Sequence, residues 1–373
     1  MRFYLLRLTP PIITQTKGVE VTIGAASSSA TETVAQTPPG AKEWTSYPNG
    51  IYDPAAHNII FDIPVTAYAT PTGAFTVTIE GPALKDLVQA ANYSPTGPTK
   101  KSPNQAFANW SLELYGGMSA EGLPLSTPAA GQPIPGMIVA GQVLEAFGNW
   151  VGTDMSLSFL GTAGKIPGTH PGLVFNWQSG QTISQALATM FTTSYAGMPQ
   201  IMQVSPNLVG PLHGLACKAN TLAAMAHEIK VLTQGTQNGM TVGYPGVDIF
   251  IQNGKIICTD GTQTAGMTAI EISLDSLIGQ PVWIGNDTLA LNVQQRADIQ
   301  VGSTIKLPTS KSYGGLPGFV TTAAIPGNYA FDLNSAFNGT FIVTSLRQIG
   351  EFRGTSGMDW MTVIEAVANQ VAP

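Results

Sequence analysis

Four histidines (His57, His170, His213 and His227) and two cysteines (Cys217 and Cys258) are the side chains of this chain best suited to metal binding or nucleophilic chemistry. Their spacing does not assemble a site. None of the histidines stands in a His-Glu-x-x-His pattern, which needs two imidazoles on one helix face. His213 and Cys217 could meet only on a helix, and Pro211 and Gly214 break one there. A tetrahedral metal centre would still lack two ligands. His227-Glu228 falls off the apolar stripe of its segment and reads as a solvated pair.

Other catalytic signatures are equally scarce. There is no Gly-x-Ser-x-Gly elbow and no Gly-x-Gly-x-x-Gly fingerprint after a strand. Gly161-Thr-Ala-Gly-Lys165 has the wrong glycine spacing for a phosphate loop, and Ile166 replaces the Ser or Thr that would reach a metal. Glu80, Asp86, Glu113, Glu145 and Asp154 are scattered carboxylates, and a glycosidase pair is defined in space rather than by spacing. Nothing singles out two of them, and solvated strand and loop acids are the simpler reading. The sequence therefore assigns no catalytic, cofactor or metal residue. Among the aromatics, Trp110, Trp177, Trp283 and Trp360 lie in strand-like runs and read as core. Trp44 and Tyr47 stand in a polar, Pro-rich stretch, as either local anchors or interface hot spots.

The bulk composition points away from a free enzyme. Only 10% of the 373 residues are charged, against roughly 25% in an ordinary soluble domain. Hydrophobic residues make up an ordinary 43%, so Gly, Pro, Ser, Thr, Asn and Gln have replaced the charge. Charge is depleted at the cores of subunit interfaces, and such a surface suits a part of a larger assembly. A net charge of −6 opposes binding to nucleic-acid phosphates. The basic doublet Lys100-Lys101 sits in a Pro-rich loop. Two cysteines cannot form a disulfide framework and fit a reducing cytoplasm. No apolar run approaches the roughly 20 residues of a membrane helix, so no membrane insertion is expected. The N-terminal run Met1–Leu8 is too short for a signal peptide and reads as a first strand. Without a secretory signal, the sequons at Asn92, Asn109, Asn286 and Asn338 read as chance matches.

Period-two alternation dominates the chain. Phe75, Val77 and Ile79 face one way and Thr76, Thr78 and Glu80 the other. Similar runs are Val19-Val21-Ile23, Ile59-Phe61-Ile63, Trp110-Leu112-Leu114, Met155-Leu157-Phe159, Ile270-Ile272-Leu274, Leu289-Leu291-Val293 and Phe341-Val343. Asn253-Gly254 signals a type I′ hairpin that pairs Gln252 with Lys255 and Ile249 with Cys258. Cys258 then shares a face with Val247, Ile249, Ile251 and Ile256, as a small core residue. Helices are few. Pro82 precedes a stripe of Leu84, Leu87, Val88 and Ala91. Thr182 and Gln185 form a capping box ahead of Ile183, Ala186, Leu187, Met190 and Phe191, and Gly197 ends that helix. Asn220 is placed to cap a third helix, with Leu222, Met225, Ala226 and Ile229 on its buried face.

These elements predict a mainly β chain in three units: β-rich 1–172, small α/β 173–268 and β-rich 269–373. Long stretches rich in Ala, Ser, Thr, Gly or Pro (24–50, 93–105, 119–136 and 307–329) fit loops ordered against neighbouring subunits, or plain linkers.

The C-terminus sharpens this reading. Gly339-Thr-Phe-Ile-Val-Thr-Ser-Leu-Arg-Gln-Ile-Gly-Glu-Phe-Arg-Gly354 is followed by Asp359-Trp-Met-Thr-Val-Ile-Glu-Ala366. This resembles the closing hairpin of baseplate hub proteins of contractile-tailed bacteriophages: a Gly-aromatic-x-Val strand, Gly-Asp-x-Arg, then Trp-x-Thr and an acidic-Ala strand. Gln348 stands where that family often has His, and Glu351 replaces Asp. Ala297–Pro308, Ser276–Ile284 and Phe147–Asp154 are similar to further hub segments of Mu-like and related myophages. The resemblance implies two barrel-like β domains flanking the small α/β domain, and a homotrimer with pseudo-sixfold symmetry. It further implies the tail tube protein, the central spike protein and other baseplate proteins as partners, and passage of DNA without specific binding. The chain would be made and assembled in the host cytoplasm and reside in the virion tail. Trp44, Tyr47, Glu351 and Arg353 are the interface candidates. A tail-tip peptidoglycan hydrolase and a glycan- or receptor-binding β module are the alternatives.

Overall fold

The computed structural model describes residues 2–10, 14–16, 33–35, 40–48, 51–66, 73–94, 110–118, 136–163, 172–195, 198–234, 244–261, 269–307 and 339–368. The Val19-Val21-Ile23 run, the Lys100-Lys101 doublet, His170, Gly197 and most of the four long linkers lie outside them. The first part of the chain supplies β1 (Arg2–Thr9), β2 (Thr14–Thr16), β3 (Thr33–Ala35), β4 (Lys42–Thr45), β5 (Asn58–Thr66), β6 (Ala74–Glu80), α1 (Leu84–Val88), β7 (Ser111–Met118), β8 (Met137–Val151) and β9 (Asp154–Ala163). A middle part follows with β10 (Leu173–Trp177), α2 (Ile183–Ser194), β11 (Gln200–Gln203), β12 (Leu215–Ala219), α3 (Leu222–Thr233), β13 (Asp248–Gln252) and β14 (Lys255–Thr259). The last part holds β15 (Ile270–Glu271), β16 (Val282–Trp283), β17 (Thr288–Gln294), β18 (Thr304–Lys306), β19 (Thr340–Glu351) and β20 (Trp360–Ala368).

The fold is mainly β, as the alternation predicts. Phe75, Val77 and Ile79 are buried, and the buried Phe61 and Ile59 oppose Val77 and Ile79 from the neighbouring strand. The strands at the two ends of the chain do not form separate sheets. They share one 13-stranded sheet in the order β16-β17-β20-β19-β5-β6-β9-β8-β7-β1-β4, with β18 on β19 and β15 on β18. The joint is the antiparallel pairing of β5 with β19, from Ile60↔Glu351 to Thr66↔Ser345. One core under this sheet collects apolar side chains from both ends of the chain.

The middle part has its own core, in which α2 and α3 cover the two-stranded β10–β12 sheet. The capping box at Thr182 and Gln185 forms, and Ile183, Ala186, Leu187, Met190 and Phe191 are the buried stripe. On α3 the cap is Thr221, whose hydroxyl accepts from the Ala224 N–H, rather than Asn220. The hydroxyl one residue later reaches the orphan N–H three positions on, which is the geometry a cap requires. The buried face of α3 is otherwise as its sequence predicts.

Two further expectations are corrected. The stripe on α1 is not its buried face: Leu84 and Val88 are exposed and Asp86 is 7% exposed. The Lys42 ammonium from β4 binds the Asp86 carboxylate and the Gln89 side chain, so a charge pair sets the orientation of this short helix. The run Ile270-Ile272-Leu274 forms only a two-residue strand before Leu274–Ser276 turns into a 3₁₀ helix.

The β13–β14 hairpin joins the two cores. Gln252 pairs with Lys255 and Ile249 with Cys258, as expected, with Asn253 at φ +51° and Gly254 at φ +70°. One face, with Ile249, Ile251, Ile256 and Cys258, enters the middle core, while Phe250 and Ile257 enter the core of the large sheet. Gln252 also accepts the Val301 N–H at 3.1 Å. A β-branched residue at Gly254 would be forced into the left-handed region. Gly254→Val should therefore cost about 1–3 kcal/mol, read as a lower midpoint in thermal or urea unfolding. An unchanged midpoint would show that the turn tolerates a side chain.

Candidate assembly interface

The C-terminal hairpin, β19 and β20, is the place where the hub-like residues meet the start of the chain. Gly350 has no side chain because the Phe61 and Trp360 rings occupy that space; a Cβ there would collide with both. Trp360 is fully buried, edge-on to Phe61 at 5.1 Å and to Phe352 at 6.2 Å, and its indole N–H donates to the Gly117 carbonyl at 3.0 Å. The turn that follows β19 is stitched by two arginines. Arg2 donates to the carbonyls of Glu351 (2.9 Å), Phe352 (3.3 Å), Gly354 (2.5 Å) and Ser356 (2.7 Å). Arg353 donates from its guanidinium to the carbonyls of Pro54 (3.0 Å) and Ala56 (2.6 Å), and from its backbone N–H to Asn58 Oδ1. Ser356 and Asp359 close the turn with a reciprocal capping box. Tyr4 lies beneath, edge-on to Phe352 at 4.9 Å, and donates to the His57 carbonyl. Burial pushes its phenol well above the usual tyrosine range.

Two polar features cross the joint. Asp62 on β5 and Arg347 on β19 form a bidentate pair at 2.8 and 2.5 Å. The Arg347 hydrogen bond holds the Asp62 carboxyl below its ordinary range. Behind it, Gln348, Thr362 and Gln295 are buried together. Thr362 donates to Gln348 at 2.7 Å, the Arg296 N–H donates to Thr362 at 3.0 Å, and the two glutamine amides meet. Buried amides must be satisfied to be tolerated, and Gln348 fills this role at the position where hub proteins often carry His.

The four interface candidates do not converge. Trp44 is on β4, opposite Leu6, not in a loop, and its ring tilts against Phe159 at 6.3 Å. Tyr47 follows the strand and stands edge-on to Tyr52 at 5.5 Å and Phe3 at 6.5 Å. Both are 7% exposed, so they anchor this chain and offer little ring surface to a partner. The sequence places them in a loop because Pro38, Pro39 and Pro48 surround them; pairing with β1 overrides that local signal. Glu351 is half-buried and lends its carbonyl to Arg2, and Arg353 is exposed with its donors directed to the 54–56 carbonyls. Arg2 is the residue sequence reading missed, since nothing local marks it as anything but a strand residue.

The candidate chemistry is dispersed. His213 lies exposed in a turn and Cys217 on β12, where its thiol is 3.6 Å from the Met225 sulfur. Burial pushes the Cys217 and Cys258 thiols up. His227 and Glu228 are exposed on α3. Among the carboxylates, Asp86 is paired with Lys42, Glu113 with Arg7 and the Tyr115 hydroxyl, and Glu80 accepts from Asn58. Glu145 is on β8 and Asp154 on β9, where Asp154 lies opposite Val151, six residues along β8 from Glu145 and so roughly 20 Å away at the rise of an extended chain. That is too far for a glycosidase pair. Gly161 to Ala163 complete β9 rather than opening a helix. Among the described residues no group of three or more His, Cys, Asp or Glu side chains could hold a metal, and no helix is long and apolar enough to cross a membrane.

No protein-family model matches the chain, and neither does any curated protein. Solved structures do. The chain is similar in structure to phage and prophage tail proteins. One is a tail protein from Neisseria meningitidis MC58, at 10% identity and a TM-score of 0.45, covering 83% of this chain and 92% of that one. A second is the 43 kDa tail protein of prophage MuSo2 from Shewanella oneidensis, at 11% identity and 0.44, covering 84% and 97%. The third is the E. coli c3393 protein, described as a type VI secretion component with structural similarity to the T4 tail proteins gp27 and gp5. It matches at 8% identity and 0.44, covering 86% and 76%.

Two measurements test the joint. Removing the Trp360 ring should cost about 3–5 kcal/mol, so Trp360→Ala should be insoluble or unfold at far lower urea; a shift below about 1 kcal/mol would show that the ring is dispensable. The depressed Asp62 carboxyl binds its proton more weakly in the folded state. Its stabilisation is therefore present above the unfolded carboxyl pKa of about 3.9 and lost as pH falls through the lower folded value. Asp62→Asn should flatten that acid limb while changing the neutral melting temperature little, as expected of an exposed pair. An unaltered acid limb would remove the pair from the account.

Proposed function

We propose that this chain is a structural subunit of the baseplate hub of a contractile bacteriophage tail. In this reading three copies form a pseudo-sixfold ring that joins the tail tube to the central spike and surrounds the channel crossed by DNA. Its work is mechanical, with no catalytic step and no cofactor. The two strand groups, 1–172 and 269–373, act as the two ring-forming lobes of each copy, and the α/β part, 173–268, sits beside them.

The observation that carries the proposal is the C-terminal hairpin. The residues that resemble the hub motif are those at which the two strand groups join: Gly350 admits two rings, Arg353 binds the 54–56 carbonyls, and Trp360 reaches Gly117. Such a motif serves architecture, not chemistry. The scarcity of charge supports burial among neighbours, and the net charge of −6 suits a passage that must not hold DNA by its phosphates.

Light scattering and sedimentation of the purified chain should give a trimer, alone or on addition of the cognate tail-tube protein. A stable monomer at micromolar concentration under both conditions would overturn the ring.

A further inference from the structure

The β8–β9 hairpin extends beyond the rest of the sheet. β7 pairs with β8 only as far as Ser111↔Gln142, and Ser94 then caps the strand edge by accepting the Ala146 N–H at 2.7 Å. Beyond Ala146, among the described residues, β8 has no strand on that edge. This tip carries Phe147 and two still more exposed side chains, Trp150 at 61% and Val151 at 75%. By the register with β9, Phe147 and Val151 share one face and Trp150 lies on the other. The tip is also rigid. Gly152 opens its two-residue turn at φ +62°, and the Trp150 indole N–H donates to the Gly152 carbonyl at 2.9 Å. A preorganised aromatic beside an open strand edge is a feature of docking surfaces. The only charges between Met137 and Ala163 are Glu145 and Asp154, both exposed.

The complementary surface is on the same chain. Helices cover one face of the β10–β12 sheet, and the other face presents Val174, Asn176, Ala216 and Lys218. The adjoining loop adds Val209 and Leu212, the latter 88% exposed. From Gly172 to Ala219 there is no Asp or Glu, and the one Lys or Arg is Lys218. One apolar surface is thus rimmed by acid and the other by base.

We infer that the β8–β9 tip of one copy docks head-to-tail on the outer β10–β12 face of the next copy. A tip-to-tip contact would bring like charges together, whereas a heterologous contact pairs Asp154 with Lys218 and can close a ring. This rests on the ring reading above and assigns the surfaces that build it.

Sedimentation of the full chain over a concentration series tests it. Trp150→Ser/Val151→Ser should weaken self-association at least about tenfold with the monomer's circular dichroism and melting unchanged. Asp154→Lys and Lys218→Asp should each weaken it, and an equimolar mixture of those two variants should regain only part of it, because in a three-membered ring two of the three contacts are then complementary and the third brings like charges together. The double variant Asp154→Lys/Lys218→Asp should regain most of it. Trimers that persist at wild-type strength in all variants would overturn this contact and leave the ring reading standing. A wild-type monomer at every concentration would overturn both.

Discussion

The pairing of Asn58–Thr66 with Thr340–Glu351 makes one sheet out of two strand groups separated by most of the chain. Bringing residues 285 positions apart together costs closure entropy on the order of 5 kcal/mol, since that cost grows only with the logarithm of length. Two or three buried aromatic side chains, at about 2–3 kcal/mol each, offset it. Phe61, Phe352 and Trp360 supply them at this joint. The Arg2 and Arg353 stitches then hold the turn against the N-terminal strands without adding a residue to the core.

The middle part is attached by a second device of the same kind. A hairpin in the edge of a small domain normally buries one face and wets the other. Here β13–β14 buries both, because Phe250 and Ile257 project into the large core while Ile249, Ile251, Ile256 and Cys258 fill the small one. The two cores therefore share a two-stranded wall. A wall apolar on both faces resists hinge motion between the two cores.

Several of the charges among the described residues are paired within the chain. Arg2, Lys42, Lys230, Arg347 and Arg353 each bind partners within the chain. Neutral polar side chains keep a surface wettable while sparing a partner the desolvation cost of burying ions.

The sequence by itself determined what depends on near neighbours. Alternation placed the strands, Thr182 and Gln185 capped α2, and Asn253-Gly254 set a hairpin register that carried Cys258 into the core. These features follow from backbone geometry within a few residues. The tertiary structure decided the rest. Trp44 and Tyr47 are buried because β4 pairs with β1, and α1 turns on the Lys42–Asp86 pair because β4 brings the lysine to it. Arg2 gains its role only when the other end of the chain arrives. Each of these depends on contacts between residues far apart in sequence, and no local pattern encodes which distant strand will supply the partner.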